Sequence, residues 1–134
     1  MEQLECHEGG CLCGQVRYRT IGMPERAGVC HCRYCQLRAG SAFGTLVYFK
    51  KNNVEIIVGN PSDYDFTTEM GKTWKNQFCL SCGTTVLMHL EAWPCDIGVA
   101  GGTFDPPTFW YELSGEVFML SLIHISEPTR RRGN

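Results

Sequence analysis

The stretch QVRYRTI (15–21) sets Val16, Tyr18 and Thr20 against Gln15, Arg17 and Arg19 in strict alternation. On an extended backbone the first set turns toward a packed interior and the second toward water. Similar short runs at 42–49, 54–58, 72–78, 84–90 and 96–100 are separated by Gly, Pro, Asn and Asp, the punctuation of strands joined by tight connections, and predict a mainly β fold. The pattern allows one short helix, from about Arg33 to Ala39 and ending at Gly40. NPSDYD (60–65) and FDPP (104–107) read as turns. Nothing divides the body into parts, so one domain of small antiparallel sheets is expected over 1–120. Residues 121–134, SLIHISEPTRRRGN, break from the β-rich body and are expected to be a non-native or disordered tail.

With 43% hydrophobic and 19% charged residues, a chain of 134 residues can bury a core in a single domain. The formal charge of −2 gives no electrostatic reason to expect nucleic acid or an acidic membrane as partner. The one basic run lies in the tail. Setting aside Arg130, Arg131, Arg132 and Glu127 leaves 9 basic and 13 acidic groups, a net charge of −4. No apolar run has the length of a transmembrane helix, and the acidic start MEQLE lacks the apolar segment of a signal peptide, so a cytoplasmic protein is expected.

Nine cysteines change the picture. Seven are grouped as Cys11-Leu12-Cys13, Cys30-His31-Cys32 with Cys35, and Cys79-Leu80-Ser81-Cys82, while Cys6 and Cys95 stand apart. An odd count at spacings of two and three residues suits shared metal better than disulfides. If the CxC pairs lie on strands, residues i and i+2 share a face and His31 points away. FCLSCG reads as a CxxC knuckle in which Gly83 lets the backbone fold over two sulfurs. Zinc takes four ligands in closed structural sites, and catalytic sites keep a position open. The seven then divide into Cys11, Cys13, Cys79 and Cys82 as a structural zinc site and Cys30, Cys32 and Cys35 as a catalytic one. Two alternatives stand beside this: buried thiols without metal, or two structural sites with Cys6, His7, His89 or Cys95 completing the second. Trp74, Trp93 and Trp110 read as core or pocket walls.

GGCLCGQVRY (9–18), CHCRYCQLRAG (30–40), FCLSCGTTV (78–86) and GVAGGTFDPP (98–107) together resemble the CENP-V/GFA domain family, the glutathione-dependent formaldehyde-activating enzyme group. The resemblance implies a mainly β fold similar to methionine sulfoxide reductase B, two zinc ions per chain divided as above, and glutathione as co-substrate. It also implies a carbon-sulfur lyase acting on a thiol-aldehyde adduct such as S-hydroxymethylglutathione. Three thiolates make a soft centre that favours a thiol as fourth ligand. His31, Tyr34 and Thr84 are the candidates for moving the proton. A non-catalytic zinc-stabilised protein-binding module is the competing function. Sulfoxide reduction, a third, would require a reactive cysteine outside the metal sites, such as Cys95.

Overall fold

Ten strands and one α-helix form among residues 5–117, the part of the chain that the computed structural model describes; the tail expected at 121–134 lies outside the described residues. The strands are β1 (Cys6–Gly10), β2 (Arg17–Ile21), β3 (Arg26–Cys30), β4 (Gly44–Lys50), β5 (Val54–Val58), β6 (Ser62–Thr67), β7 (Thr73–Phe78), β8 (Thr85–Leu90), β9 (Asp96–Ala100) and β10 (Gly115–Val117), with α1 (Arg33–Ala39) between β3 and β4. They make a three-stranded sheet, β1-β2-β5, and a seven-stranded sheet, β10-β3-β4-β9-β8-β7-β6. All ladders are antiparallel except the β10–β3 edge, which is parallel. The mainly β fold with one short helix is therefore as predicted. Among the described residues no helix is long and apolar enough to cross a membrane.

The large sheet works with both faces. Ala27, Val47, Phe49, Leu87, Ile97 and Val99 point to one side and pack with Tyr18 of the small sheet and with Val16 just before β2, closing a two-sheet core. Leu46, Tyr48, Met88, Trp74 and Ala100 point to the other side and pack with Cys30, Cys32 and Cys35, so α1 covers part of that face. The alternation expected of β2 is present: Tyr18 and Thr20 are fully buried, while Arg17 and Arg19 reach outward to Glu8, Glu55 and Asp105. Arg17 pairs with Asp105 of the FDPP turn, and Phe104 of that turn bridges Gly9, so the turn is fixed to the small sheet.

NPSDYD requires a correction, because the chain bends at Gly59, just before it, Asn60 and Pro61 form the connection, and the backbone is a strand from Ser62 onward. β6 is an edge strand whose Asp63 and Asp65 are exposed, and it is held by the β7 ladder and by Phe66, stacked on Trp74 with ring centroids 5.5 Å apart. Charge on an edge strand discourages pairing with another chain, and the same charge makes the segment read as a turn.

Gly59 turns the chain between β5 and β6 at φ 82, and a Cβ there would overlap the carbonyl oxygen of Gln15. Gly71 has the same φ with open space around it. Gly71→Ala is expected to cost only the left-handed backbone term of about 1–2 kcal/mol, whereas Gly59→Ala should cost clearly more, read as a larger fall in the urea midpoint. Equal midpoints for the two variants would show that the Gln15 contact is not rigid.

Candidate metal centres

Two turns bring the first four cysteines together. After β1 the Cys11 N–H donates to Val16 O at 3.0 Å and the Gly14 N–H returns to Cys11 O at 3.2 Å. Between β7 and β8 the Gly83 N–H returns to Cys79 O at 2.7 Å, with Gly83 at φ 83 where a side chain would be strained. The sulfurs of Cys11, Cys13, Cys79 and Cys82 all lie within 4.8 Å of one another, with Cys11–Cys13 and Cys13–Cys79 each at 3.7 Å. A disulfide would need about 2.05 Å. Four sulfurs placed tetrahedrally at about 2.3 Å from a zinc ion would stand about 3.8 Å apart, so the spacing fits the metal. Val16 N–H donates to Cys11 Sγ at 3.2 Å, and Thr84 Oγ1 lies 3.2 Å from Cys82 Sγ while accepting from the Leu12 N–H. The Thr84 hydroxyl and neighbouring backbone N–H groups pull the Cys82 thiol down to about 5.

The second group forms where β3 meets α1. Cys30 ends β3, Cys32 is the N-cap of α1, accepting from the Cys35 N–H at 3.4 Å, and Cys35 lies in the first turn of the helix. Their sulfurs are also within 4.8 Å of one another, and all three residues are buried. Gly44 pairs with Cys30 across the ladder, and a side chain there would press on Cys35 and on the Arg38 guanidinium. Hydrogen bonds from Cys30 and Cys35 pull the Cys32 thiol down to about 3, while the Cys32 sulfur holds Cys30 up at about 11 and Cys30 and Cys32 push Cys35 up as well. Three buried thiols cannot all ionise side by side without a cation; a divalent metal is what this donor set accommodates.

Strand parity thus groups the right cysteines by the wrong geometry. Neither CxC lies wholly on a strand: Cys11 and Cys13 converge through a turn, and Cys30 and Cys32 through a strand end and a helix cap. Among the described residues no other Cys, His, Asp or Glu brings a ligand atom into either set. Cys6 and Cys95 are exposed, His7 stacks on Trp110 at 3.5 Å between ring centroids, and His89 Nε2 lies 2.7 Å from Gln77 Oε1. His31 is buried with its ring edge-on to Phe43.

A cleft of about 590 Å³ reaches the second group and is lined by Cys30, Cys32, Tyr34, Leu46, Tyr48 and Trp74, among others. Trp93 also walls it, as the sequence suggests for Trp74 and Trp93, whereas Trp110 belongs to the packing around His7. Of the proton-carrying candidates, Tyr34 lines this cleft, and its hydroxyl accepts from the Glu69 N–H at 3.0 Å. Thr84 stands instead at the four-cysteine group. Arg26 was not singled out by the sequence; its position becomes legible only once the β3–β4 register sets it opposite Tyr48.

Comparison with known proteins gives three findings. A profile of the glutathione-dependent formaldehyde-activating enzyme family matches residues 6–120. No curated protein matches the chain. The crystal structure of a Rhodobacter sphaeroides protein is similar at a TM-score of 0.61 and 21% sequence identity, covering 82% of this chain and 99% of that one, a likeness of fold.

Proposed function

Because the chain belongs to the glutathione-dependent formaldehyde-activating enzyme family, we propose that it is a zinc-dependent carbon-sulfur lyase that makes or breaks the bond between sulfur and carbon in a thiol-aldehyde adduct such as S-hydroxymethylglutathione. In this reading Cys11, Cys13, Cys79 and Cys82 hold a structural zinc, and Cys30, Cys32 and Cys35 hold the catalytic one. The observation that carries it is the cleft reaching Cys30 and Cys32. A solvent-connected approach to a three-cysteine set favours catalysis over a non-catalytic zinc-stabilised protein-binding module, which needs none. A reducing cytoplasm, where thiols remain able to bind metal, is the compartment that suits the two cysteine groups.

Zinc held by three thiolates supplies a soft Lewis acid that favours sulfur and lowers the pKa of a thiol. The protein's own side chains do the rest. Largely apolar cleft walls flank the reacting groups, and Tyr34, whose oxygen already accepts the Glu69 N–H, has its O–H left to donate. In the forward direction sulfur adds to the aldehyde carbon, the carbonyl π pair moves to oxygen, that oxygen takes the Tyr34 proton, and the proton given up by the thiol restores Tyr34. Cleavage returns the proton to Tyr34 as the C–S bond breaks and C=O reforms. Loss of a positioned acid-base group costs about 10²-fold or more in rate. Tyr34→Phe should therefore lower kcat on S-hydroxymethylglutathione, or on another thiol-formaldehyde adduct, by about that factor with zinc content unchanged. If the zinc-loaded wild type cleaves no such adduct faster than the metal-free chain, the lyase reading fails.

A further inference from the structure

The cleft is poorly matched to a charged tripeptide thiol. Leu46, Tyr48, Trp74, Leu90 and Trp93 present apolar or aromatic surface to it. The Arg26 guanidinium has its charge balanced within the wall: it lies 4.4 Å from the Tyr48 ring centroid and 4.0 Å from that of Trp93, and its Nη2 forms an ion pair with Asp96 Oδ2 at 3.1 Å, although its Nε is buried without a hydrogen-bond partner among the described residues. The carboxylate of Glu91 accepts from the Thr73 N–H at 2.7 Å. Lys72 remains as the other cation of the lining. Glutathione carries two carboxylates and an ammonium, and bringing unmatched charges onto such a surface is costly.

We propose that the thiol accepted at the three-cysteine group has an apolar, ring-bearing body, seated against Trp74, Tyr48 and Trp93, in place of a charged peptide. The inference rests on the reading of Cys30, Cys32 and Cys35 as a thiol-binding metal centre and narrows the class of thiol that reading admits. The aromatic walls offer edge and face contacts to a ring, and a cleft of this volume is within the range that encloses a small organic ligand.

The test is calorimetric titration of the zinc-loaded full chain with 2-phenylethanethiol, glutathione and 2-phenylethanol. The arylalkyl thiol should bind at least about tenfold more tightly than glutathione, the lower end of what a hydrophobic pocket discriminates for a single methylene. Trp93→Ala removes part of the wall at a residue 40% exposed, where the fold tolerates truncation, and should weaken 2-phenylethanethiol while leaving glutathione unmoved. Glutathione binding as tightly as 2-phenylethanethiol, or tighter, would overturn the inference and leave the lyase reading standing. Equal affinity for 2-phenylethanol and its thiol would overturn the reading beneath it, since sulfur would then contribute nothing.

Discussion

Replacing Cys79 by serine is expected to abolish the native fold. The four-cysteine group joins the turn after β1 to the turn between β7 and β8, and so fastens the small sheet to the large one. A structural zinc contributes apparent free energy on the order of 10 kcal/mol or more, comparable to the whole net stability of a small domain, about 5–15 kcal/mol. Cys79 is itself 2% exposed within the two-sheet core, so the hydroxyl would also be buried among apolar neighbours. The expected result is loss of the cooperative thermal transition in circular dichroism and loss of bound zinc. A variant that melts like the wild type would show that the four sulfurs do not carry a structural metal.

Cys32→Ser is expected to do the opposite: to keep the fold and lose the chemistry. Cys32 caps α1 through its side chain, and serine is a strongly preferred N-cap, so the helix keeps its first hydrogen bond. The set at Cys30 and Cys35 loses one thiolate of three. Zinc content should fall from two ions per chain to one, with turnover of the thiol-aldehyde adduct reduced by about 10²-fold or more. Retention of two tightly bound zinc ions and full turnover would remove these cysteines from the mechanism. Together the two substitutions separate a metal that makes the fold from a metal that uses it.

How much of this was legible in the sequence depends on whether the signal was local. α1 was predicted with the bounds it has, because Gly40 stops it in the left-handed conformation, and β5 and β9 were likewise predicted as they stand. β1 was missed: CHEGG has no apolar alternation, and Gly9 is there because the Tyr18 ring and the Thr103 carbonyl leave no room for a side chain. β3 was missed for a related reason, since Gly28 interrupts RAGVC and leaves little periodicity to read. β10 is three residues long and takes its strand character from pairing with β3. The cysteine groups were visible as spacings, yet the cleft was not. Its walls come from β3, α1, β4, β7, β8 and the segment after β8, and only the register that sets Trp74 opposite Leu90 and leaves Leu46 and Tyr48 on the α1 side of the sheet assembles them. In the run LVYF every residue is apolar, so the sequence carries no sign of which two face the cleft and which two face the core.

The ligands of the four-cysteine group are widely separated in synthesis. Cys13 precedes Cys79 by 66 residues, so at about 5–20 residues per second the ribosome releases the first pair roughly 3–13 s before the second. CHCRYC, by contrast, is finished within one short span of translation. A nascent chain therefore holds its three-thiol set complete while the CxC that precedes it is still half a site, and in a metal-limited cell the local set has the first claim on an ion.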